Sequence, residues 1–256
     1  MKQVLLTVSA GKRLIGKAIA NHPEIKKTLT TGTIVIIAGT TNAYVTEEIF
    51  ALIGETRNLN YKRFFRGITV APGNKVTESG RLIDETAFPG DVVIQNGVWV
   101  KGKTIYDVAA DLREGDIVLK GANALDTVHQ RAAILIGNPT GGTVVPILQS
   151  LIGRRVRLML PVGLEKRISG DLDILANKLN APGSKGMRYL PVPGEIFSEI
   201  EALALLAGVT VEVFASGGVI GAEGSVWLML NGTPENEENA EKIIKSVACE
   251  PAFTLG

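Results

Sequence analysis

The segment with the most chemical character is Gly39-Thr40-Thr41-Asn42, which closes the apolar run Thr33 to Ala38 and opens a stretch of helical pattern. Free backbone N–H groups and the macrodipole make a helix N-terminus favourable for an anion, and the hydroxyls of Thr40 and Thr41 add donors. The same residues also suit a plain helix cap in a tight strand-to-helix turn. A second loop of this kind, Asn138, Thr140, Gly141, Gly142 and Thr143, follows the apolar run Ala132 to Ile136. Between the two lies Lys120-Gly121-Ala122-Asn123-Ala124-Leu125-Asp126. A lysine at a strand end in an apolar cleft is pushed toward its neutral form, and can act as a base, a Schiff-base amine or an oxyanion stabiliser. On an open loop it is only a solvated cation. Asn123 suits a left-handed turn position, and Asp126 either orients a base or caps the segment after it. Glu165, in Glu165-Lys166-Arg167, is either a spare acid or base or part of a surface charge cluster. Ligands of parallel sheets lie outside the carboxyl ends of the strands, so loops 39–42, 120–126 and 138–143 are expected to share one cleft.

The run Leu29-Thr30-Thr31-Gly32-Thr33-Ile34-Val35-Ile36-Ile37-Ala38-Gly39-Thr40-Thr41-Asn42-Ala43 resembles the opening of the ribose-5-phosphate isomerase A and CoA-transferase-like superfamily. There a glycine precedes a buried strand that ends in a phosphate loop and a helix. The segment from Lys120 to Asp126 is similar to the isomerase's Asp-Gly-Ala-Asp-Glu-Val-Asp, and Gly141-Gly142 stands where that family has another glycine pair. The resemblance implies the fold and an anion site. It does not carry over the isomerase's acids, because Lys120 and Asn123 occupy those places and only Asp126 keeps its type. Glu223 invites comparison with the glutamate nucleophile of CoA-transferases, although a hairpin loop explains it equally.

Two other motif matches fail. Gly11-Lys12-Arg13-Leu14-Ile15-Gly16-Lys17 has P-loop spacing, but Ala18 follows where a magnesium-binding hydroxyl is needed. Gly218, Gly221 and Gly224 lack dinucleotide-fingerprint spacing. With two His (His22 and His129) and one Cys (Cys249), no metal site is expected. His129, beside Asp126, reads as a loop residue. The 27 basic and 26 acidic side chains leave a net charge of +1, which argues against nucleic acid or an anionic membrane as partner. Basic clusters at Lys62-Arg63-Phe64-Phe65-Arg66 and Arg154-Arg155-Val156-Arg157 therefore point first to a nucleotide or the diphosphate of CoA. Residues 132–153 carry no charge and reach the ~20 residues needed to span a bilayer, but Gly137-Asn138-Pro139-Thr140-Gly141-Gly142 in their middle would break a membrane helix.

The elements that must hold these residues follow from periodicity. Val4 to Val8, Thr33 to Ala38, Asp116 to Leu119, Ala132 to Ile136 and Val156 to Pro161 read as buried strands of a parallel sheet. Helices are expected over 11–22, from Pro23 to a C-cap at Gly32, and over 41–54, 142–152 and 171–179. Residues 55–103 read as a β-rich insertion, with a hairpin turn at Asn96-Gly97. The tail gives a strand at 188–191, a helix at 196–207, strands at 210–214 and 225–230, and a helix at 234–247 capped by Thr233. That order predicts a ferredoxin-like lobe, its last strand supplied by Pro251 to Leu255.

The expected fold is therefore α/β: a mostly parallel sheet with helices on both faces over residues 1–182, and a C-terminal ferredoxin-like α+β lobe over residues 183–256. Function is expected to be binding of a small phosphorylated or CoA-linked metabolite, with isomerisation or group transfer handled by Lys120, Asp126 and Glu165. Gly39, Thr40, Thr41, Asn42, Gly121, Asn123, Asn138, Gly141, Gly142 and Thr143 would hold the ligand. The alternative is a non-catalytic metabolite sensor or assembly protein with a dimerising C-terminal lobe. The sequence names no cofactor; a cytoplasmic, soluble and homo-oligomeric protein is the expectation.

Overall fold

The computed structural model describes residues 1–66, 69–77, 82–83 and 88–254. Its centre is a six-stranded sheet built from β2 (Thr33–Ile36), β3 (Val92–Gln95), β4 (Val98–Trp99), β5 (Ile117–Leu119), β8 (Arg157–Pro161) and β10 (Glu195–Phe197). The order is β10-β8-β5-β2-β3-β4, with the first four strands parallel and the β3–β4 hairpin added antiparallel to β2. β2, β5 and β8 are uncharged except at their first residues and almost wholly buried, as strands covered on both faces must be. The hairpin turns through Asn96 and Gly97, whose φ values of 49° and 77° are those of a type I′ turn.

Helices α1 (Val8–Asn21), α2 (Pro23–Thr31), α3 (Thr40–Ile53), α5 (Val144–Arg154) and α7 (Glu199–Ala207) cover the sheet, and the short α4 (Ile105–Val108) follows the hairpin. Gly11 to Lys17, with its P-loop spacing, lies wholly inside α1. Gly32 closes α2, but at φ −135° rather than in a left-handed cap. Its missing side chain makes room for Thr28 and Asp116, whose carboxylate accepts a 2.7 Å bond from Thr33 N.

Two smaller antiparallel sheets flank the centre. One, in the order β6-β7-β9, comprises β6 (Ala124–Asp126), β7 (Arg131–Ile136) and β9 (Arg188–Val192), with α6 (Leu172–Leu179) packed on Tyr189 and Ala133. The other, in the order β1-β12-β11, comprises β1 (Lys2–Leu6), β12 (Val226–Asn231) and β11 (Thr210–Ser216), backed by α8 (Pro234–Val247). Thr233 caps α8 as its sequence demands. No helix among the described residues is long and apolar enough to cross a membrane.

The mixed α/β class and the mostly parallel sheet are as expected; the finer arrangement differs. Residues 183–256 do not make a ferredoxin-like sheet of their own, because β9 pairs with β7, β10 with β8, and β12 with β1. One continuous core runs from Ile34 and Leu119 through α1 to Leu228 and Ile244, across the boundary expected at 182. The chain start, not Pro251 to Leu255, completes the C-terminal sheet: residues 251–254 form no strand, and Leu255 lies outside the described residues. β1 buries alternate residues, the pattern of a half-exposed antiparallel strand rather than of a parallel core strand. Nor does β7 join the central sheet, because the turn at residues 127–130, with Gln130 at φ 52°, folds it back on β6. Within the expected insertion, the hairpin is the only ladder of named strands among the described residues.

Helix α1 is clamped between α3 and α7, and Gly16 permits the approach. A Cβ there would lie 2.9 Å from the carbonyl carbon and oxygen of Tyr44 on α3. Gly16→Ala is therefore expected to destabilise the protein by about 1–3 kcal/mol through overpacking. Gly153, inside α5, has nothing within 4 Å of the Cβ position. Gly153→Ala is expected to stabilise by roughly 0.5–1 kcal/mol, since only helix propensity changes. Urea midpoints of the two variants check the pair.

Candidate functional site

A cavity of about 390 Å³ opens between the carboxyl ends of β2 and β5 and the β6-β7-β9 sheet. The loops singled out in the sequence meet there: Gly39 to Asn42, Lys120, Gly121 and Asn123, and Asn138 with Gly141 to Thr143 all line it. The first two reach it from the edge of the parallel sheet. The third arrives from β7, in the neighbouring antiparallel sheet, so its place follows from packing between sheets and not from a shared strand edge.

Two helices begin at this cavity, and both begin bare. α1, α2, α6, α7 and α8 have side-chain caps from Thr7, His22, Asp171, Ser198 and Thr233. α3 and α5, with N-caps Gly39 and Thr143, have no capping side chain and no acidic residue in the first turn. The backbone N–H groups of residues 39–42 and of Gly142, Thr143 and Val144 find no acceptor among the described residues. Gly141 and Gly142 reach this geometry at φ 84° and 62°, and a Cβ on Gly141 would sit 2.5 Å from Val145 Cγ2. Side-chain groups remain unsatisfied as well. Thr41 Oγ1 and Asn42 Oδ1 are buried without a hydrogen-bond partner, in residues only 2% and 0% exposed. The amide nitrogen of Asn42 donates to Ile37 O (2.7 Å) and Leu119 O (3.0 Å), tying the start of α3 to the ends of both strands.

Three cations line the same space: Lys120, Arg66 and Lys166. Arg66 Nη1 donates to Asp91 at 2.7 Å, and Lys166 Nζ donates to Ala122 O at 2.8 Å. The Lys120 backbone N–H donates to Met159 O at 3.1 Å, whereas its side chain has no hydrogen bond or ion pair among the described residues. Burial, then the charge of Arg66, pushes its pKa down to about 8, with Asp91 opposing and Lys166 adding to the fall. Among the described residues lining the cavity there is no carboxylate, imidazole or thiol.

Asn123 is not in a left-handed turn. Its side-chain oxygen accepts from Leu135 N at 3.1 Å and its own N–H donates to Ala133 O, so it ties the lysine loop to β7. Asn138 Oδ1 is used by Thr140 N (2.8 Å) and Oγ1 (2.7 Å), which closes the second loop on itself.

Two of the three expected catalytic residues stand elsewhere. Asp126 ends β6, where its carboxylate accepts from Val128 N and His129 N and pairs with His129 Nδ1 at 2.7 Å. The His129 backbone and ring hold its pKa below the usual value. Glu165 and Lys166 are neighbours in a 3-10 turn, Leu164–Lys166. Lys166 faces the cavity, whereas Glu165 is buried beside Lys12 Nζ (3.9 Å) and Glu199. Glu199, at the start of α7, accepts from Leu164 N at 2.9 Å, and burial and then the Glu165 charge push its pKa up to about 8. Glu223 accepts from Gly221 N in the loop between β11 and β12, away from this cavity.

The reading of single residues missed Arg66 and Lys166 as site residues, although both lie in clusters visible in the sequence. Phe65, also on the wall, lies in the same basic and aromatic cluster as Arg66, whereas Tyr106 carries no sequence signal toward it. Scans against family models, curated proteins and solved structures returned no match for this chain.

The raised Glu199 has a direct consequence for stability. Between about pH 4.5 and 8 the folded protein keeps a proton on Glu199 that the unfolded chain releases, so stability falls as pH rises through this window. The lowered Lys120 acts mainly above pH 8, where it adds stability as pH rises, whereas His22, lowered by burial, offsets part of the loss below pH 6.5, so the comparison with Glu199→Gln isolates the glutamate. Urea unfolding at pH 5 and 8 is expected to show this loss in the wild type and a smaller one in Glu199→Gln.

Proposed function

We propose that the cavity binds a small phosphorylated or CoA-linked metabolite, with its phosphate between the N-termini of α3 and α5. The observation that carries this reading is the convergence of two uncapped helix N-termini with Lys120, Arg66 and Lys166 on one space. Helix dipoles, free N–H groups and ammonium charge all favour an anion there, and Asp91, the nearby carboxylate among the described residues, is already occupied by Arg66. A volume of about 390 Å³ suits a small metabolite or the diphosphate end of a larger one.

In this reading the Gly39 to Asn42 loop plays the part of the phosphate loop of the ribose-5-phosphate isomerase A and CoA-transferase-like superfamily. Isomerisation or group transfer then falls on Lys120, because Asp126 and Glu165 do not reach the cavity and that superfamily's acids are absent at 120 and 123. A second reading, a metabolite sensor without catalysis, draws on the lack of any lining carboxylate or imidazole. It would use the β1-β12-β11 sheet, which exposes Leu5, Phe214 and Trp227, as its dimerising or effector face.

Thermal unfolding against inorganic phosphate, sugar phosphates, nucleotides and CoA esters tests the binding. A ligand at about 100 times its Kd adds roughly 2.7 kcal/mol, a rise of several degrees in Tm. A selective rise is expected, smaller in Arg66→Ala; a flat response to every anion sinks the reading. With the responding compound as substrate, Lys120→Ala is expected to abolish turnover while keeping part of the Tm rise. Binding without turnover in the wild type favours the sensor.

A further inference from the structure

We propose that Lys120 forms an imine with the carbonyl carbon of an anionic substrate, an aldehyde or ketone phosphate, seated at the N-termini of α3 and α5. The inference rests on the anion-binding reading of the cavity and adds the reactive group of the ligand.

The three cations on the wall are not equivalent. Arg66 is fixed by Asp91 at 2.7 Å, and a guanidinium does not lose its proton at any ordinary pH. Lys166 Nζ donates to Ala122 O at 2.8 Å, so although burial lowers its pKa as well, with Glu165 opposing, its amine is already committed to a backbone carbonyl. The amine of Lys120 alone of the three has no hydrogen-bond or ion-pair partner among the described residues. The carboxylate that could hold it, Asp91, instead accepts from Arg66, from Ala38 N at 3.1 Å and from Ile105 N at 3.2 Å. Lys120 thus stands between two fixed positive charges, with its amine uncommitted. With a pKa of about 8, roughly a tenth of it is neutral at pH 7, far more than for a surface lysine.

The position of Lys120 fits the same role. It directly follows Leu119, whose carbonyl is bound by Asn42 in the first turn of α3, so the amine is carried on the strand end next to the bare helix start. Thr41, whose buried Oγ1 has no partner, is among the residues lining the same space. Ile134 and Val144 give the wall an apolar part, and dehydration favours imine over carbonyl. Among the described lining residues the other amine, Lys166, is tied to Ala122 O, and the rest of the polar wall is Arg66, threonines, asparagines and Tyr106.

In the step itself, the lone pair of neutral Lys120 Nζ adds to the carbonyl carbon, and the carbonyl π electrons move to oxygen. Proton transfer from nitrogen to oxygen gives a carbinolamine. Loss of the hydroxyl with a second nitrogen proton, as water, leaves the imine. One amine and one carbonyl thus yield one imine and one water, with no oxidation or reduction. The ligand's anion supplies the binding and Lys120 the covalent bond.

Reductive trapping tests this on the full-length protein. Glycolaldehyde phosphate, dihydroxyacetone phosphate or pyruvate is added with sodium borohydride, which delivers hydride to an imine carbon and makes the link permanent. Intact mass and peptide mapping then locate it. The expected result is a single adduct, at least tenfold more abundant on Lys120 than on any other lysine. It should form with the two phosphates in preference to pyruvate, be suppressed by inorganic phosphate, and be absent from Lys120→Met. Its yield should rise between pH 6.5 and 8.5 as Lys120, facing Arg66, Asp91 and Lys166, loses its proton. A pyruvate adduct stronger than either phosphate adduct would replace the phosphate by a carboxylate and overturn the proposed ligand class. Adducts spread over surface lysines, or concentrated on Lys166, overturn the imine. If inorganic phosphate raises Tm and no adduct forms, the imine falls while the anion site stands; if neither occurs, both fall. The wild-type map decides the site even if Lys120→Met fails to fold.

Discussion

Asp91 sits almost completely buried at the head of β3, and its two oxygens hold three separate parts of the molecule. They accept from Ala38 N at the end of β2, from Ile105 N at the start of α4, and from the guanidinium of Arg66. An isolated carboxylate so deeply buried would be strongly unfavourable; two backbone donors and one cation compensate it. The arrangement also fixes what lies beyond. Ala38 must end its strand where the chain turns into Gly39, and Arg66 is delivered to the cavity as an immobile charge. Asp91 offsets part of the positive charge around Lys120, but its hydrogen bonds are committed elsewhere, so it does not pair with the lysine. The geometry of this edge of the site depends on this one side chain.

That positive potential is opposed by no capping residue. A serine, threonine, aspartate or asparagine at an N-cap contributes about 1 kcal/mol, and the five other helices of eight residues or more have a side-chain cap. α3 and α5 forgo it, and Thr41 Oγ1 stays buried and unpaired in the first turn of α3. Departures from local rules gather where a protein is built to do something other than fold. Here they gather on one cavity, where the open N–H groups of both helix starts are donors without acceptors, Asn42 Oδ1 being an acceptor without a donor. A group with several acceptor oxygens suits those N–H groups.

Much of this was legible in the residue pattern, and the parts that were not have physical reasons. Continuous apolar runs such as Thr33 to Ala38 and Val156 to Pro161 announce parallel strands because both faces are covered. The glycine loops after them announce helix starts for the same local reason. Three-residue strands leave too little periodicity to read, so β6 and β10 were folded into the loop and helix beside them. The capping box Ser198 with Glu201 marks where α7 begins, after Phe197. β1 was misassigned because pairing partners more than two hundred residues apart leave no local trace. For the site, the loops could be named because glycine and threonine requirements are local. Which charged side chain faces inward could not, because that is decided by packing in three dimensions.

The turn at Leu164–Lys166 shows this most sharply. Two adjacent charges leave it toward different environments: Lys166 to the cavity, Glu165 to a buried space with Lys12 and Glu199. Had the turn been rotated by one residue, Glu165 would face Lys120 and Arg66. It would then pair with them, cancel the potential that attracts an anion, and hold Lys120 in its ammonium form. Instead the carboxylates are collected behind the turn, at the expense of crowding two of them, and one is driven to keep its proton near neutral pH. The strain of that buried acidic pair and the openness of the cationic cavity are therefore two sides of one arrangement. Relieving the first by moving Glu165 forward would remove the second, so the sign of the cavity depends on where a single turn places its charges.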